Sequence, residues 1–383
     1  MSLLQAMTIA CLLATGMGVA LLGSVKLALA RKLAIDEARV GGLVSMFGFA
    51  MIPTMLLIGF VTDLVGKQPV MIGGSVVTAV SIVLLARAKS YWPAVVGVLL
   101  LSASWSAQIN VVNPVAIFAF PGSTAYAMNL ACFFFGIGAF VTPLAVAFLL
   151  RRVGLTGAML ILAAFSLLTA ALALGVDFSA LVAAPSQEAA AAPAPMGIGT
   201  LLGDAVMWLC AFALFFFAPL EGTMGAWATT YLTDKRVGEG AAAGLLSGFW
   251  LVYTAARLVA AYTVPAGSET TVILTLSVVC LGVWVVAVWS PCRWLSIVTV
   301  LVAGAVFGPI YPTLMAVLLG HFDKALHGRA IGLLFTLGGL GWTLLPMLIG
   351  AYAQRKGVQR GFLLAAASAL GLTIVAIILA TQV

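Results

Sequence analysis

The chain has 383 residues, of which 63% are hydrophobic and only 8% are charged, with a mean hydropathy of +1.21. Soluble globular proteins have about 45–50% apolar and about 25% charged residues, so this composition excludes a soluble fold. The formal net charge is +7, but the basic residues stand singly or in pairs at the ends of apolar runs. That placement is typical of membrane proteins and argues against nucleic-acid binding.

Twelve apolar segments, each long enough to cross a bilayer, follow one another along the chain. A hydrocarbon core about 30 Å thick requires about 20 residues per helical crossing, and long continuous runs favour helices over a β-barrel. The sequence therefore predicts an all-α integral membrane protein with twelve transmembrane helices. The predicted spans lie near residues 5–30, 41–65, 69–88, 92–119, 124–150, 154–176, 204–233, 238–262, 270–290, 293–319, 326–353 and 360–380.

One segment, residues 177–203, is poor in large apolar side chains and separates two sets of six predicted spans. It contains APSQEAAAAPAPMG, a composition typical of a flexible connector. We therefore predict an N-terminal six-helix bundle (1–176), a cytoplasmic linker (177–203) and a C-terminal six-helix bundle (204–383).

The fifth and eleventh predicted spans indicate that the two sets are repeats of one another. Several glycine, proline and arginine positions match at one constant separation of 203 residues. Because each set has an even number of helices, the two sets have the same orientation, a parallel repeat that alternating-access transporters use. The matching pairs are Gly136 and Gly339, Gly138 and Gly341, Pro143 and Pro346, Arg152 and Arg355, and Gly154 and Gly357.

The loop between the second and third predicted spans reads GFVTDLVGKQPVMIGG. Gly66 allows a tight turn, and Asp63 can accept from backbone donors at the positive end of a neighbouring helix. With Gly59 and Lys67, these residues resemble the signature loop of the major facilitator superfamily, although Leu64 stands where that family usually has arginine. The resemblance implies that the loop contacts the eleventh helix and stabilises one conformation. The alternative is an ordinary solvated turn.

Other segments resemble the branch of that superfamily that contains fucose permease and related sugar:proton symporters. The resemblance implies the major facilitator fold and transport by rocking of two six-helix bundles around a central solute site. Symporters of this branch carry carboxylates in the first and fourth helices, and this chain has none there, so proton-coupled and facilitative transport both stay open. The segments are NVVNPVAIFAFPGSTAYAMNLACFFFGIGAF, EGTMGAWATTYL, SGFWLVYTAARL, GPIYPTLMAV and HGRAIGLLFTLGGLGWTLLP.

Charged side chains within the predicted spans are few, because each costs roughly 2.5–3.5 kcal/mol on insertion scales. Glu221 is predicted to bind solute or to take up a proton; the alternative is a fixed ion pair with Arg257 or Lys26. Arg257 is predicted to act in packing and conformational gating. Lys26 either binds an anionic solute or extends to the membrane surface.

Amide and aromatic side chains supply the other candidate solute-binding residues. Amides donate and accept hydrogen bonds without carrying a charge, which suits hydroxyl-rich ligands. The alternative is that the amides join helices by hydrogen bonds and the aromatic rings fill the core. The candidates are Gln108, Asn110, Asn113, Asn129, Trp227, Tyr231, Trp250 and Tyr253.

The predicted spans contain no phosphate-binding loop, metal-ligand cluster or catalytic nucleophile arrangement. We therefore predict a monomeric, multi-pass transporter in the cell (inner) membrane, not an enzyme, that uses no cofactor or metal. It moves a small polar, sugar-like solute by secondary active or facilitated transport, with protons as a possible coupling ion. The alternatives are an exporter of an amphiphilic or anionic compound and a non-transporting membrane sensor or scaffold.

The distribution of basic residues conflicts with the orientation usual in this superfamily. With a cytoplasmic amino terminus, the cytoplasmic loops hold only Lys67, Lys324 and Arg329, which contradicts the positive-inside rule. We predict the superfamily orientation because the signature loop is tied to mechanism, and the inverted topology is the alternative. The basic residues at the opposite end are Arg31, Lys32, Arg39, Arg87, Lys89, Arg151, Arg152, Lys235, Arg236, Arg293, Arg355, Lys356 and Arg360.

Overall fold

The computed structural model describes residues 1–179 and 198–382 of the chain, except the side chains of Glu37, Ala38 and Gln354, and its regular structure in this part is helical. The predicted all-helical fold is confirmed. The helices are α1 (Leu3–Leu33), α2 (Glu37–Val65), α3 (Lys67–Arg87), α4 (Tyr91–Ala119), α5 (Thr124–Leu174), α6 (Ile198–Gly203), α7 (Ala205–Asp234), α8 (Glu239–Thr263), α9 (Glu269–Trp289), α10 (Arg293–Phe307), α11 (Ile310–His321), α12 (His327–Lys356) and α13 (Val358–Gln382).

At two places the helices divide differently from the predicted spans, and each difference has a local cause. The helix α5 runs through both the fifth and the sixth predicted spans and breaks at Gly154, whose φ of 69° and ψ of −179° are not helical. The tenth span is made of two helices, α10 and α11, which Gly308 and Pro309 separate. Counted in this way, the described residues provide the twelve predicted spans. Within the predicted connector, residues 180–197 lie outside the described residues, and α6 forms its end.

The helices are grouped into two compact units. Unit 1 comprises Met1–Pro121, Phe134–Ile198 and Phe322–Leu333, and unit 2 comprises Gly122–Phe133, Gly199–His321 and Leu334–Val383. The first residues of α5 thus belong to unit 2, and the first residues of α12 belong to unit 1. The assignment of whole spans to two six-helix bundles stays a prediction.

In unit 1, the central helix is α4, which packs against α1, α2 and α3. Its serine and tryptophan side chains bond to these neighbours: the Trp105 indole donates to the Thr15 carbonyl at 3.0 Å, and Ser102 donates to the Phe47 carbonyl at 2.8 Å. Such bonds join helices in a bilayer, where water cannot satisfy buried polar groups. The helix α4 is therefore held by specific polar contacts as well as by apolar packing.

In unit 2, an aromatic core forms where α13 packs against α7 and α9. The fully buried Trp284 ring stacks on Phe307 at 6.2 Å and meets the edge of Phe362 at 5.1 Å.

Asp204 caps the start of α7, because its carboxylate accepts from the backbone of Val206. Burial raises the pKa of Asp204, but hydrogen bonds from His321 and from the backbone outweigh it, so the pKa lies below its ordinary value.

Two glycines bring α10 and α8 into backbone contact. A Cβ atom at Gly304 would lie 2.5 Å from the Phe249 carbonyl oxygen, and one at Gly308 would lie 2.4 Å from the Tyr253 carbonyl oxygen. These glycines are four residues apart, the small-xxx-small pattern that lets membrane helices approach closely. The contact fixes the position of Tyr253 along α8 relative to α10.

We expect Gly308→Ala to lower the free energy of unfolding by about 1–3 kcal/mol, because the added methyl group must push two backbones apart. The midpoint of thermal unfolding in detergent measures the effect. The matched control is Gly282→Ala in α9, where a Cβ atom meets nothing within 4 Å and alanine favours the helix. Equal midpoints for Gly308→Ala and the unchanged protein would contradict the proposed backbone contact.

Candidate transport site and conformational latch

In unit 1, the signature-loop carboxylate lies against the beginning of α12. The two oxygens of Asp63 accept from the backbone N–H groups of Gly328 at 3.0 Å and Arg329 at 3.1 Å. The Arg329 side chain adds an ion pair, with its Nε 3.0 Å from Asp63 Oδ2. The first N–H groups of a helix have no partner within the helix, and the helix dipole favours an anion there. Asp63 therefore satisfies both the backbone donors and the positive end of α12.

The same turn of α12 is held from a second helix of unit 1. The Asn110 amide in α4 donates to the Gly328 carbonyl at 2.9 Å. Gly59 is required for this approach, since a Cβ atom there would lie 2.4 Å from the Gly328 carbonyl oxygen. We call Asp63, Asn110, Gly59, Gly328 and Arg329 the latch.

The remaining signature-loop residues shape the connection between α2 and α3. Gly66 has a φ of 89°, a left-handed conformation that glycine adopts without strain. Lys67 begins α3 and is half-buried. The Asp63 side chain is only 4% exposed, so its ion pair with Arg329 is shielded from solvent. The conformational gating role of these residues stays a prediction, and the latch gives it a physical basis.

In unit 2, three of the predicted site residues form one hydrogen-bonded cluster. The Tyr253 hydroxyl in α8 donates to Glu221 Oε2 in α7 at 2.8 Å and accepts from the Arg257 guanidinium. The guanidinium also lies over the Tyr253 ring, 4.2 Å from its centroid. The structure therefore brings together Glu221, Tyr253 and Arg257, with the tyrosine between the two charged groups.

Backbone carbonyls satisfy the rest of the Arg257 guanidinium. Its Nε donates to the Gly308 carbonyl at 3.1 Å, and its Nη1 donates to the Cys132 carbonyl at 3.0 Å. The Gly308 carbonyl is available because its helical partner would be the N–H group of Pro312, and proline has none. Arg257 is 4% exposed, so these bonds offset most of the cost of burying its charge.

Glu221 is placed differently from Arg257. It is half-buried, and the Tyr253 hydroxyl is its hydrogen-bond partner within the part of the chain that the structure describes. Over the same residues, no ion pair joins Glu221 to Arg257 or to Lys26. The alternative of a fixed ion pair is therefore not what this conformation shows. Lys26 is exposed on α1.

The four candidate amides are buried, and each uses its N–H groups inside the protein. Gln108 donates to the Thr78 hydroxyl at 2.7 Å, and Asn129 donates to the Thr313 hydroxyl at 3.3 Å. Asn113 donates to the Ile109 carbonyl of its own helix at 2.8 Å. Asn110 belongs to the latch. In this conformation the amides join or brace helices, as the alternative interpretation describes, and their role in solute binding stays a prediction.

The candidate aromatic residues lie in two different environments. Tyr231 is buried, and its hydroxyl lies 3.0 Å from the Ala287 carbonyl and 2.9 Å from Ser296 Oγ. Trp227 and Trp250 are half-buried. The Trp250 ring is 5.4 Å from Tyr253 in an edge-on arrangement and packs against Gly225, one turn after Glu221 in α7. Trp250 thus contacts both Tyr253 and the turn of α7 that follows Glu221.

Comparison with known proteins identifies the family. The model of the Major Facilitator Superfamily matches residues 8–346 of the chain. No curated protein matches the chain in sequence. The chain therefore belongs to the Major Facilitator Superfamily, and it is a multi-pass membrane transporter, as the signature-loop resemblance predicts.

Solved structures of this fold extend over almost the whole chain. A variant of the E. coli fucose:proton symporter FucP is 16% identical, with a TM-score of 0.81 and 99% of each chain covered. FucP in the outward conformation is 15% identical, with a TM-score of 0.78 and 98% of each chain covered. The human organic anion transporter MFSD10 is 16% identical, with a TM-score of 0.72 and 98% of each chain covered. The twelve-helix major facilitator fold is thereby confirmed.

We expect Asp63→Asn to weaken the latch, because the amide keeps one acceptor oxygen but loses the charge that binds Arg329 and the helix end. Hydrogen exchange of the backbone amides in residues 322–333, followed by mass spectrometry, should become roughly tenfold faster, equivalent to about 1.4 kcal/mol. Asp323→Asn removes the same charge from an exposed position nearby and serves as the control. Unchanged exchange in Asp63→Asn would show that the carboxylate does not hold this turn.

We expect Tyr253→Phe to destabilise unit 2, because the buried guanidinium of Arg257 and the Glu221 carboxylate both lose a partner. Hydrogen bonds to charged groups contribute about 1.5–3 kcal/mol, which sets the expected loss of unfolding free energy. Denaturant titration in detergent measures it, with Tyr352→Phe at an exposed position as the control. If both variants unfold at the same denaturant concentration, Tyr253 does not link the two charges.

Proposed function

We propose that the protein transports a small polar, hydroxyl-bearing organic solute, such as a sugar, across the cell (inner) membrane by alternating access. The observation that carries this proposal is the half-buried Glu221 carboxylate, which Tyr253 holds by one oxygen. Its other oxygen has no hydrogen-bond donor among the described residues, so it is free to accept from a solute hydroxyl. A carboxylate inside a membrane span is costly, so its presence there favours a functional role.

The surroundings of Glu221 support a role in binding over one in structure. Arg257 is almost fully buried and donates to two carbonyls and to Tyr253, so its bonds position the tyrosine. Glu221, in contrast, has no side-chain hydrogen bond to the residues that the structure describes beyond the one from Tyr253. Glu221→Gln keeps an oxygen that can accept from Tyr253, whereas removing Arg257 would leave the Gly308 carbonyl without a donor.

The aromatic ring of Trp250 gives the site a second binding element. Its contacts with Gly225 and Tyr253 place the ring beside the turn of α7 that follows Glu221. An aromatic face next to hydrogen-bonding groups is the usual composition of a small-molecule site. This pairing favours a solute that has both hydroxyl groups and an apolar ring face.

The mode of coupling follows from what Glu221 binds. As a carboxylate it accepts hydrogen bonds from solute hydroxyls, which requires no coupling ion. If it takes up a proton during the cycle, it couples solute movement to the proton gradient, and FucP, a fucose:proton symporter, has the same fold. Proton-coupled and facilitated transport therefore differ in whether Glu221 binds and releases a proton during the transport cycle.

A second candidate function, transport of an anionic or amphiphilic solute, has one specific observation in its favour. Lys26 is exposed on α1 and forms no ion pair within the described residues. A free lysine in a membrane span is a candidate ligand for an anion. The similarity in fold to a human organic anion transporter is compatible with this candidate.

Stabilisation of the purified protein by solutes tests the proposal. We expect a sugar or related polyol at saturating concentration to raise the thermal midpoint, because a ligand that binds the folded state stabilises it. Glu221→Gln should remove most of this shift while leaving the midpoint without solute almost unchanged. A shift that is smaller at high pH in the unchanged protein would indicate that Glu221 binds a proton together with the solute.

The control variant is Glu239→Gln, which removes a carboxylate from the exposed start of α8. Lys26→Gln distinguishes the second candidate function. If only organic anions raise the midpoint, and if Lys26→Gln abolishes the shift while Glu221→Gln does not, then the solute is anionic and the proposed site is wrong.

A further inference from the structure

A cavity of about 380 Å³ lies in unit 2, where α9 ends and α13 begins. Val288, Trp289, Gln359, Arg360 and Leu363 line it. Its volume is within the range of about 300–1,000 Å³ that small-molecule sites occupy. The lining combines apolar side chains with one positive charge at the end of two membrane spans.

Of the polar side chains that line this cavity, Gln359 is used within the protein and Arg360 is not. The Gln359 amide donates to the Val288 and Ser290 carbonyls at 2.8 and 3.1 Å, and its oxygen accepts from Lys235 Nζ at 2.8 Å. Gln359 and Lys235 are thereby used to join α13 to the end of α9. The Arg360 guanidinium is exposed and has no hydrogen bond or ion pair within the described residues. Arg360 is therefore the group that remains for a ligand.

Unit 1 contains a similar cavity of about 340 Å³, lined by Ala28, Arg31, Leu150 and Leu155. The Arg31 guanidinium is exposed and, like that of Arg360, has no hydrogen bond or ion pair among the described residues. Again one free guanidinium stands beside leucine side chains near the end of a span. The two cavities are separate observations, one in each unit.

The two cavities share one feature of the internal repeat, a glycine turn beside them. At the separation of 203 residues, Leu155 corresponds to Val358, the residue before Gln359. Leu155 follows Gly154, with a φ of 69°, and Val358 follows Gly357, with a φ of 85°. Two basic residues lie just before each glycine: Arg151 and Arg152 before Gly154, and Arg355 and Lys356 before Gly357. The two arginines are not repeat partners, since Arg31 lies in α1 and Arg360 in α13. What the repeat gives both cavities is a left-handed glycine turn with further positive charge next to it.

The chemistry of these cavities matches an anionic phospholipid. Arginine binds phosphate oxygens through two parallel hydrogen bonds, and basic pockets between membrane helices bind anionic headgroups. Trp289 is 65% exposed at the end of α9, the position that interfacial tryptophans occupy at the headgroup level. The valine and leucine side chains suit an acyl chain and would be of no use to a soluble anion. We infer that each cavity binds one anionic phospholipid, with its phosphate on Arg360 or Arg31.

Native mass spectrometry of the purified, detergent-solubilised protein tests this assignment. With phosphatidylglycerol titrated in, we expect two bound lipids per chain at concentrations where phosphatidylcholine with the same acyl chains does not bind. Arg360→Gln and Arg31→Gln should each weaken one of the two binding steps about fivefold, the size expected for one basic contact with an anionic lipid. The double variant should weaken both steps. Arg87→Gln, an exposed arginine at the end of α3 and outside both cavities, is the control.

Three outcomes would overturn the assignment. The double variant could bind both lipids with unchanged affinity, which would exclude the two arginines. Arg87→Gln could weaken binding as much as the cavity variants do, which would mean that diffuse surface charge attracts the lipid. Inorganic phosphate at millimolar concentration could displace phosphatidylglycerol completely, which would mean that the cavities bind a soluble anion. Thermal midpoints of all variants are measured alongside, so that a folding defect is not read as lost binding.

Discussion

Buried charge inside a bilayer must be satisfied by the protein itself, and this constraint explains both polar arrangements of the molecule. In unit 1, Asp63 accepts from the unpaired N–H groups at the start of α12. In unit 2, Arg257 donates to a carbonyl that Pro312 leaves free and to the carbonyl of Cys132. Each charge is thus stabilised by backbone groups, and helix ends and helix breaks are where such groups become available.

Glycine makes these backbone contacts possible. Gly59 and Gly328 allow the latch to close, and Gly304 and Gly308 bring α10 against α8 at the level of Tyr253. In every one of these cases a single Cβ atom would overlap a carbonyl oxygen or the Asp63 carboxylate. The conformational element and the candidate solute site therefore depend on the same kind of packing, although they lie in different units.

The fold could be predicted from the sequence, but the candidate site could be predicted only in part. Long apolar runs predict the spans, because this signal is local. The contact of the Asp63 loop with the eleventh helix was implied by the resemblance to the signature loop of the major facilitator superfamily. Partners across helices are not local. Asn110 and Asn113 share a helix face by their spacing, yet Asn110 bonds to Gly328 and Asn113 bonds to its own helix. The sequence also could not predict that Tyr253 bridges Glu221 and Arg257. The free Gly308 carbonyl that binds Arg257 could have been predicted, because Pro312 lies four residues after Gly308 and has no N–H group.

The central claim is that Glu221 binds the solute that this transporter moves. Uptake of a radiolabelled sugar into proteoliposomes, with and without an inward proton gradient, tests it most directly when Glu221→Gln is compared with the unchanged protein. The account predicts saturable uptake that is lost in Glu221→Gln under both conditions, while a gradient-dependent increase in the unchanged protein would add proton coupling. Equal uptake by Glu221→Gln and the unchanged protein would contradict the account.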